Sequence, residues 1–400
     1  MMIRRLGKGS PIASCLLLAC LLVSSGAAAE PLRFAFVAPM AENPFFDEIA
    51  SGCAARAAAL KDDGHAVTCT FAAPGLVPMA KPADGSAAQE ASASPTSPQV
   101  LSTNAPAAPP SPDQPADPAT TPSPSTATPF PNSDATASPP SGPMVSPAAQ
   151  AAAKPDPRSE AQIIADLVAD HIDGLAIAPT SDPVVADAIR AVVKAGIPVV
   201  TVDTDAPGTG RAAAIGTNAR DFGRALGASL RRWKPNGGKY AILAMDPQKP
   251  NMAERIYGVR DALGPGWSEI VDSPVVTSGD YADAAEKIDH LLNAYYDVDA
   301  IISVGAWPML DTDAWREMIS RYKTRIDKAD VVLVVADALP VQKDLVRQGL
   351  GHVLVGQKPA DMGERAVDLL LQLRQKRKVP EVVYVGFETI TRLDLVRQTN

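Results

Sequence analysis

Short apolar stretches alternate with longer amphipathic ones along most of the chain, and this pattern predicts strands that alternate with helices. The short stretches are rich in Val and Ile, whereas the longer ones repeat their apolar residues at helical spacing. The predicted helices include 44–62, 160–172 and 184–196. The predicted strands are LRFAFVA (32–38), HAVTCTFA (65–72), GLAIAP (174–179), IPVVTVD (197–203), AAAIG (212–216), KYAILAMD (239–246), SEIVDSPVVT (268–277), DAIISVG (299–305), VVLVVAD (331–337) and HVLVG (352–356).

This alternation predicts the α/β fold class. Short buried strands joined by helices of about a dozen residues are typical of parallel sheets that helices cover on both faces. Outside the N-terminal and proline-rich segments described next, about 285 of the 400 residues remain, more than one such core usually holds. We therefore predict two doubly wound parallel-sheet lobes.

Residues 73–158 differ sharply in composition from the rest of the chain. They contain 21 of the 38 prolines, together with many Ala, Ser and Thr residues. Such a stretch buries too little apolar surface to offset the entropy of ordering it, so we expect disordered or extended chain. Only two predicted strands and one helix precede it, which is too little for a domain. We therefore predict an insertion into a loop rather than a linker between domains.

The N-terminus has the features of an export signal. Arg4, Arg5 and Lys8 precede an apolar run at 12–23, and three alanines at 27–29 supply the small residues of a cleavage site. The apolar run is too short to span a bilayer. We predict a cleaved signal peptide at 1–29 and an exported, soluble mature protein. A lipoprotein in which Cys20 carries a lipid remains an alternative.

Charge and cysteine content narrow the possible functions. Cleavage would remove three basic residues and no acidic one, changing the net charge from −8 to about −11. An acidic chain without a Lys/Arg cluster argues against nucleic acid as a partner. Cys53 and Cys69 remain after cleavage, either as one disulfide or as two buried thiols. The four histidines are scattered, so we predict no metal site and no cofactor.

Candidate binding residues follow the predicted strands, where ligands bind in open parallel sheets. Asn43 and Pro44 are a good helix start, which explains them without any ligand. Phe45 and Phe46 are harder to explain, since neighbouring helical positions point about 100° apart. One ring can join the core, and we expect the other to be exposed as a platform for a sugar or similar ligand.

Acidic and aromatic residues occupy the equivalent position after later strands. Asp203 and Asp205 follow one strand and Asp337 follows another, and carboxylates accept strong hydrogen bonds from hydroxyl groups. One of the first pair is expected to cap its turn. Tyr281 and Trp307 add rings at two further passages from strand to helix. Together these residues predict a ligand site at the strand ends.

Several segments resemble the sugar-binding type I periplasmic proteins of ABC transporters, the group of ribose-binding proteins. The similar segments are ENPFF, DGLAIAPTSDPVVADAIRAVVKAGIPVVTVDTDAP, AAAIGTNARDFGRALG, NMAERIYGVRDAL, VVADALP and GQKPADMGERAV, in the same order and spacing. The resemblance covers nearly all of the mature chain outside the insertion. It implies two lobes joined by three crossings and closing over a ligand. The implied lobes are 30–218 with 358–382, and 219–357 with 383–400.

The resemblance also implies a set of ligand contacts. The implied ligand-binding residues are Asn43, Phe45, Phe46, Asp203, Thr204, Asn251, Arg255, Tyr281, Trp307, Asp337 and Gln357. Three departures put ribose itself in doubt: Thr204 stands where ribose-binding members carry Arg, Trp307 lies where Asn is common, and Asn218 replaces a usual Asp. The arginine that most often touches sugar falls on Ala253, so Asn251 is expected to take over that contact. Cys53 and Cys69 are brought toward the same end of the lobe.

The implied function is a periplasmic protein that binds a sugar or polyol and delivers it to an ABC permease. The alternative is a sensor subunit that presents its ligand-bound state to a membrane kinase or chemoreceptor. We expect a monomer and no enzymatic activity, because the sequence has no glycine-rich phosphate loop and no nucleophile elbow.

Overall fold

The computed structural model describes residues 30–41, 43–75 and 158–397. The predicted signal peptide and residues 76–157 of the predicted insertion lie outside this range. The strands are β1 (Leu32–Val37), β2 (Val67–Ala72), β3 (Gly174–Ile177), β4 (Val199–Val202), β5 (Ala213–Gly216), β6 (Gly238–Ala244), β7 (Trp267–Glu269), β8 (Val275–Val276), β9 (Ala300–Ser303), β10 (Val332–Ala336), β11 (Val353–Gln357), β12 (Val382–Tyr384) and β13 (Phe387–Thr391).

Eleven α-helices and one 3₁₀ turn, at Trp307–Met309, are found in the same residues. The helices are α1 (Pro44–Asp62), α2 (Glu160–Ala169), α3 (Pro183–Lys194), α4 (Ala219–Trp233), α5 (Pro250–Leu263), α6 (Tyr281–Ala294), α7 (Thr312–Arg321), α8 (Lys323–Asp327), α9 (Pro340–Arg347), α10 (Pro359–Arg374) and α11 (Arg392–Arg397).

The first sheet has six parallel strands in the order β12–β5–β4–β3–β1–β2. Alternate residues of a strand point to opposite faces, and β1 shows this clearly. Phe34 and Phe36 belong to the core that α1 and α10 cover, whereas Ala35 and Val37 pack with α2 and α3. Both faces of the sheet are therefore buried, as the run of apolar residues in each strand predicted.

The second sheet has seven strands in the order β13–β11–β10–β9–β6–β7, with β8 also paired to β6. Residues from α4 and α5 form the core on one face, and those from α6, α7 and α9 form the core on the other. The α/β fold class with two helix-covered sheets is confirmed. One pairing departs from the prediction, because β13 runs antiparallel to β11.

Two further differences concern strands. The single strand predicted at 268–277 is two, β7 and β8, which pair with opposite ends of β6. Pro274 lies between them and has no N–H for a ladder, and the Ser273 hydroxyl instead accepts from the Ile242 N–H at 2.9 Å. The C-terminal strands β12 and β13 were not predicted.

The chain passes between the sheets three times, from β5 to α4, from β11 to α10 and from β12 to β13. The first and third passages are joined directly, since the Val385 N–H donates to the Gly216 carbonyl at 2.9 Å. No helix of the described part is long and apolar enough to cross a membrane. The lobe boundaries implied by the family resemblance remain predictions.

The edge strand β2 ends where the predicted insertion begins, and a disulfide attaches this strand to α1. Strand β2 precedes that segment, α2 and β3 follow it, and both strands pair with β1, so the described chain on either side of the segment belongs to the same sheet. Of the two alternatives for the cysteines, the structure contains the disulfide, which joins Cys53 of α1 to Cys69 of β2.

Replacing both cysteines by alanine should lower the free energy of unfolding by about 3 kcal/mol, because the disulfide closes a short loop in the unfolded chain. Cys53 and Cys69 are 16 residues apart. Urea unfolding measures the effect, and the unmutated protein in reductant should unfold at nearly the same urea concentration as the double variant. Equal stability of oxidised protein and double variant would show that the disulfide contributes nothing.

Candidate functional site

A cavity of about 110 Å³ lies where the carboxyl ends of both sheets meet, and we call it the central cavity. Residues from the first sheet and α1 form one wall, and residues from the second sheet and its helices form the other. Its lining residues are Asn43, Phe45, Phe46, Asp203, Met252, Arg255, Gly305, Ala306, Trp307, Leu310, Asp337, Leu339 and Gln357. This is the position at which ligands bind in open α/β sheets.

Two carboxylates enter this cavity from opposite sheets with the same local backbone geometry. Asp203 follows β4 with φ 63°, and Asp337 follows β10 with φ 70°. Each N–H donates to the neighbouring strand, Asp203 to the Ile215 carbonyl at 2.8 Å and Asp337 to the Val355 carbonyl at 2.7 Å. Aspartate tolerates this left-handed conformation better than most residues. The turn that ends each strand therefore fixes where its carboxylate points.

Asp205, two residues beyond Asp203, has a structural role. Arg211 donates to both of its carboxylate oxygens at 2.7 Å, and the Thr201 hydroxyl and the Ala206 N–H also donate to it. Burial acts to raise the pKa of Asp205, but these hydrogen bonds, those from Arg211 most strongly, together outweigh burial, so the pKa is lowered. Asp205 thus holds the turn, and Asp203 is left to line the cavity.

Arg255 of α5 is the buried cation of the site, with 4% of its surface exposed. Its Nη1 donates to the Val304 carbonyl at 2.8 Å, and its guanidinium lies 4.8 Å from the centre of the Phe222 ring. Its Nε is buried and has no hydrogen-bond partner in the described part of the chain.

The position of Arg255 depends on a close helix crossing. A Cβ on Gly223 of α4 would lie 2.0 Å from the Arg255 carbonyl oxygen, and a Cβ on Gly258 of α5 would lie 2.2 Å from the Arg220 carbonyl oxygen. Only glycine at both positions lets the two helix backbones approach this closely. The crossing therefore sets how far the guanidinium extends toward the carboxylates.

Burial raises the pKa of both carboxylates. Burial raises the pKa of Asp203 to about 6, with a smaller contribution from the negative charge of Asp337, while the positive charge of Arg255 acts in the opposite direction. Asp203 is partly exposed and lines the cavity, so a ligand in the cavity would contact its carboxylate directly. Burial also raises the pKa of Asp337, which Arg255 and a hydrogen bond from Gln357 partly offset.

Gln357, the last residue of β11, completes the polar wall. Its Nε2 donates to Asp337 Oδ1 at 2.8 Å, which orients the amide. Its Oε1 is buried and finds no donor among the described residues. A buried carbonyl without a donor is unfavourable by about 1–3 kcal/mol, so this atom is suited to a ligand that supplies one.

The expectation that one ring of Phe45–Phe46 is exposed is wrong. Phe45 is 9% exposed and Phe46 is 8% exposed, and the rings pack edge to face with centroids 5.6 Å apart. Both belong to one apolar cluster that also contains Ala306 and Leu339 of the other side, with Leu310 packed against it. The second sheet's loops cover the start of α1, which is why both rings are buried while they still line the cavity.

Asn43 and Trp307 have local structural roles in addition to their place on the wall. Asn43 caps α1, its Oδ1 accepting from the Phe45 N–H at 3.0 Å. Trp307 folds back over Gly305, where a Cβ would lie 2.4 Å from the indole ring. The glycine thus allows the ring to lie flat against the backbone at the cavity wall.

Three predicted residues do not line the central cavity. Thr204 donates to Asp203 Oδ2 at 3.4 Å, Asn251 accepts from the Met252 N–H at 2.9 Å, and Tyr281 is a partly buried first residue of α6. Met252 takes the place on the wall that was expected of Asn251. The apolar lining residues Met252, Ala306, Leu310 and Leu339 were not predicted, and they lie three to eight residues beyond the ends of β6, β9 and β10. The described residues contain no cluster of His, Cys, Asp or Glu that could hold a metal ion.

Two helix-covered sheets, one parallel and one mixed, are joined by three passages and have a cavity at their shared edge, which is a two-lobed α/β architecture. Residues 144–378 match the family described as the periplasmic binding protein domain. The chain belongs to this family. No curated protein sequence matched the chain.

Solved structures support the same fold. A solute-binding protein of an ABC transporter from Burkholderia graminis, in complex with D-arabinose, is similar with a TM-score of 0.63 and 19% identity, covering 92% of this chain and 97% of that one. GanP, a glucose-galactose binding protein from Geobacillus stearothermophilus, is similar with a TM-score of 0.61 and 18% identity, covering 92% and 99%. A solute-binding protein from Actinobacillus succinogenes with bound D-allose has a TM-score of 0.62 and 15% identity, covering 92% and 99%.

Gly223→Ala should force α4 and α5 apart and move Arg255 away from the carboxylates. We expect a loss of about 1–3 kcal/mol in the free energy of unfolding from overpacking. The pKa of Asp203, followed by carbon NMR of its carboxyl group, should rise because the nearby positive charge recedes. Gly279→Ala is the matched control, since a Cβ there meets nothing within 4 Å. An unchanged Asp203 pKa in a destabilised Gly223→Ala protein would contradict the positioning role.

Proposed function

We propose that this protein binds a small sugar or polyol in the central cavity and delivers it to an ABC permease in the periplasm. The observation that carries the proposal is the set of buried polar groups left without partners at one cavity. Arg255 Nε lacks an acceptor and Gln357 Oε1 lacks a donor within the described residues. A hydroxyl group both donates and accepts, so a polyhydroxylated ligand satisfies donors and acceptors together.

Both walls contribute carboxylates and aromatic rings, and the second adds a cation. The Asp203 and Asp337 carboxylates are placed to accept hydrogen bonds from hydroxyl groups, and Arg255 is placed to donate. The rings of Phe45, Phe46 and Trp307 offer apolar surface for the C–H groups of a sugar. Sites of this kind typically combine apolar walls with a few convergent polar groups. Thr204, Asn251 and Tyr281 do not line the cavity, so their contact with the ligand stays a prediction.

The division of the site between two sheets favours binding by closure. Asn43, Phe45, Phe46 and Asp203 belong to one side and the remaining lining residues to the other. A ligand that contacts both sides favours the closed arrangement by its additional interactions. The three passages between the sheets are the natural hinge for such a motion.

The similar solved structures agree with the ligand class. Those proteins are solute-binding or sugar-binding proteins, and two contain D-arabinose and D-allose. The same comparison and the predicted signal peptide support the proposal of delivery to a permease. We therefore propose a binding role rather than a catalytic one.

A thermal-shift screen of pentoses, hexoses and polyols should identify the ligand, since a molecule that binds only the folded state raises the melting temperature. Calorimetry then tests the site. Asp203→Ala should abolish measurable binding, because a buried hydrogen bond to a charged group is lost at the cavity. Asp205→Asn is the matched control, and it should lower stability but retain the affinity. Undiminished affinity of Asp203→Ala would refute the assignment of the site.

A further inference from the structure

We propose that the binding site has a second compartment on the hinge side, which takes a hydroxylated substituent attached to the ligand in the central cavity. This inference rests on the proposed function and extends its ligand class from monosaccharides and small polyols to disaccharides and glycosides. The observation behind it is a second cavity that shares a wall with the first.

The hinge-side cavity has a volume of about 170 Å³, which exceeds that of the central cavity. It lies between the start of α1, the segment after β10, and the passage from β11 to α10. Four residues line both cavities: Phe45, Asp337, Leu339 and Gln357. The two cavities are therefore neighbours, and these four residues form the partition between them.

Gln357 and Asp337 are the polar part of this partition. The amide nitrogen of Gln357 is held by Asp337 Oδ1, so the amide is oriented, but its Oε1 is buried without a donor in the described structure. Gln357 is 8% exposed, so bulk water does not readily replace the missing donor. A ligand hydroxyl group that reached this oxygen would supply the missing donor.

The charged groups around the hinge-side cavity suit a neutral hydroxylated group. Glu48 of α1 and Lys343 of α9 are both partly buried and belong to opposite sides of the cleft. Burial raises the pKa of Glu48, and the positive charge of Lys343 opposes this shift. Lys358, Asp361 and Glu388 complete an exposed rim with both signs of charge. Such a rim offers donors and acceptors without favouring a ligand of one charge.

Calorimetry with paired ligands tests the second compartment. The probes are D-glucose with maltose, cellobiose and isomaltose, D-galactose with melibiose, and D-xylose with xylobiose. For a monosaccharide that binds, we expect at least one paired disaccharide to bind within about tenfold of it, about 1.4 kcal/mol, or more tightly. Affinity more than tenfold weaker for every paired disaccharide would overturn the inference and leave the proposed function intact.

Two single variants provide a second test of the hinge-side cavity. Glu48→Ala and Lys343→Ala should weaken disaccharide binding by about tenfold and leave monosaccharide binding within about threefold. Lys323→Ala in α8 is the control and should change neither, because Lys323 pairs with Asp327 and lines neither cavity. Equal weakening of both ligand lengths would overturn the second compartment, because a general effect on closure predicts that result. Binding of no sugar in the set would overturn this inference, and the same result with no thermal shift by any sugar or polyol would overturn the proposed function as well.

Discussion

The binding site depends on two carboxylates, those of Asp203 and Asp337, which line the same cavity from opposite walls. Arg255 is the cation that acts on both of them. Burial disfavours the ionised form of each, and the charge of Asp337 adds to the effect on Asp203. Such an arrangement persists only if the surrounding structure fixes it. Each carboxylate follows a central strand whose neighbour anchors its N–H, so the sheets themselves impose the geometry.

Close helix crossings on both sheets position other residues of the site. Gly223 and Gly258 bring α4 and α5 together, and Gly52 and Gly363 do the same for α1 and α10 in the first sheet, where the added Cβ of either would lie 2.0 Å from a carbonyl oxygen. One crossing positions Arg255, and the other supports the helix that begins with Phe45 and Phe46. Each cavity wall therefore depends on a close helix crossing that glycines allow. The packing of helices on each sheet thus determines where the binding residues of its wall lie.

Sequence alone was sufficient for features that depend on local chemistry. The helix at 44–62 was predicted at the bounds that the structure shows, because Asn43 and Pro44 mark its start and its apolar face is regular. The position of Asp203 and Asp337 at strand ends was also predicted, because each follows a short run of apolar residues that is typical of a buried strand. Burial of both phenylalanine rings was not predictable, since it depends on Ala306, Leu310 and Leu339 from a distant part of the chain. The split between β7 and β8 depends on the Ser273 side chain replacing a ladder contact.

The most direct measurement is the affinity of the identified ligand as a function of pH between 4 and 8. The free protein holds the pKa of Asp203 at about 6. A hydroxyl group that donates to the ionised carboxylate lowers that pKa, so the complex binds fewer protons than the free protein below pH 6. Affinity should therefore be constant above about pH 6 and fall by up to about tenfold per unit below it. A flat profile across this range would contradict a direct contact between Asp203 and the ligand.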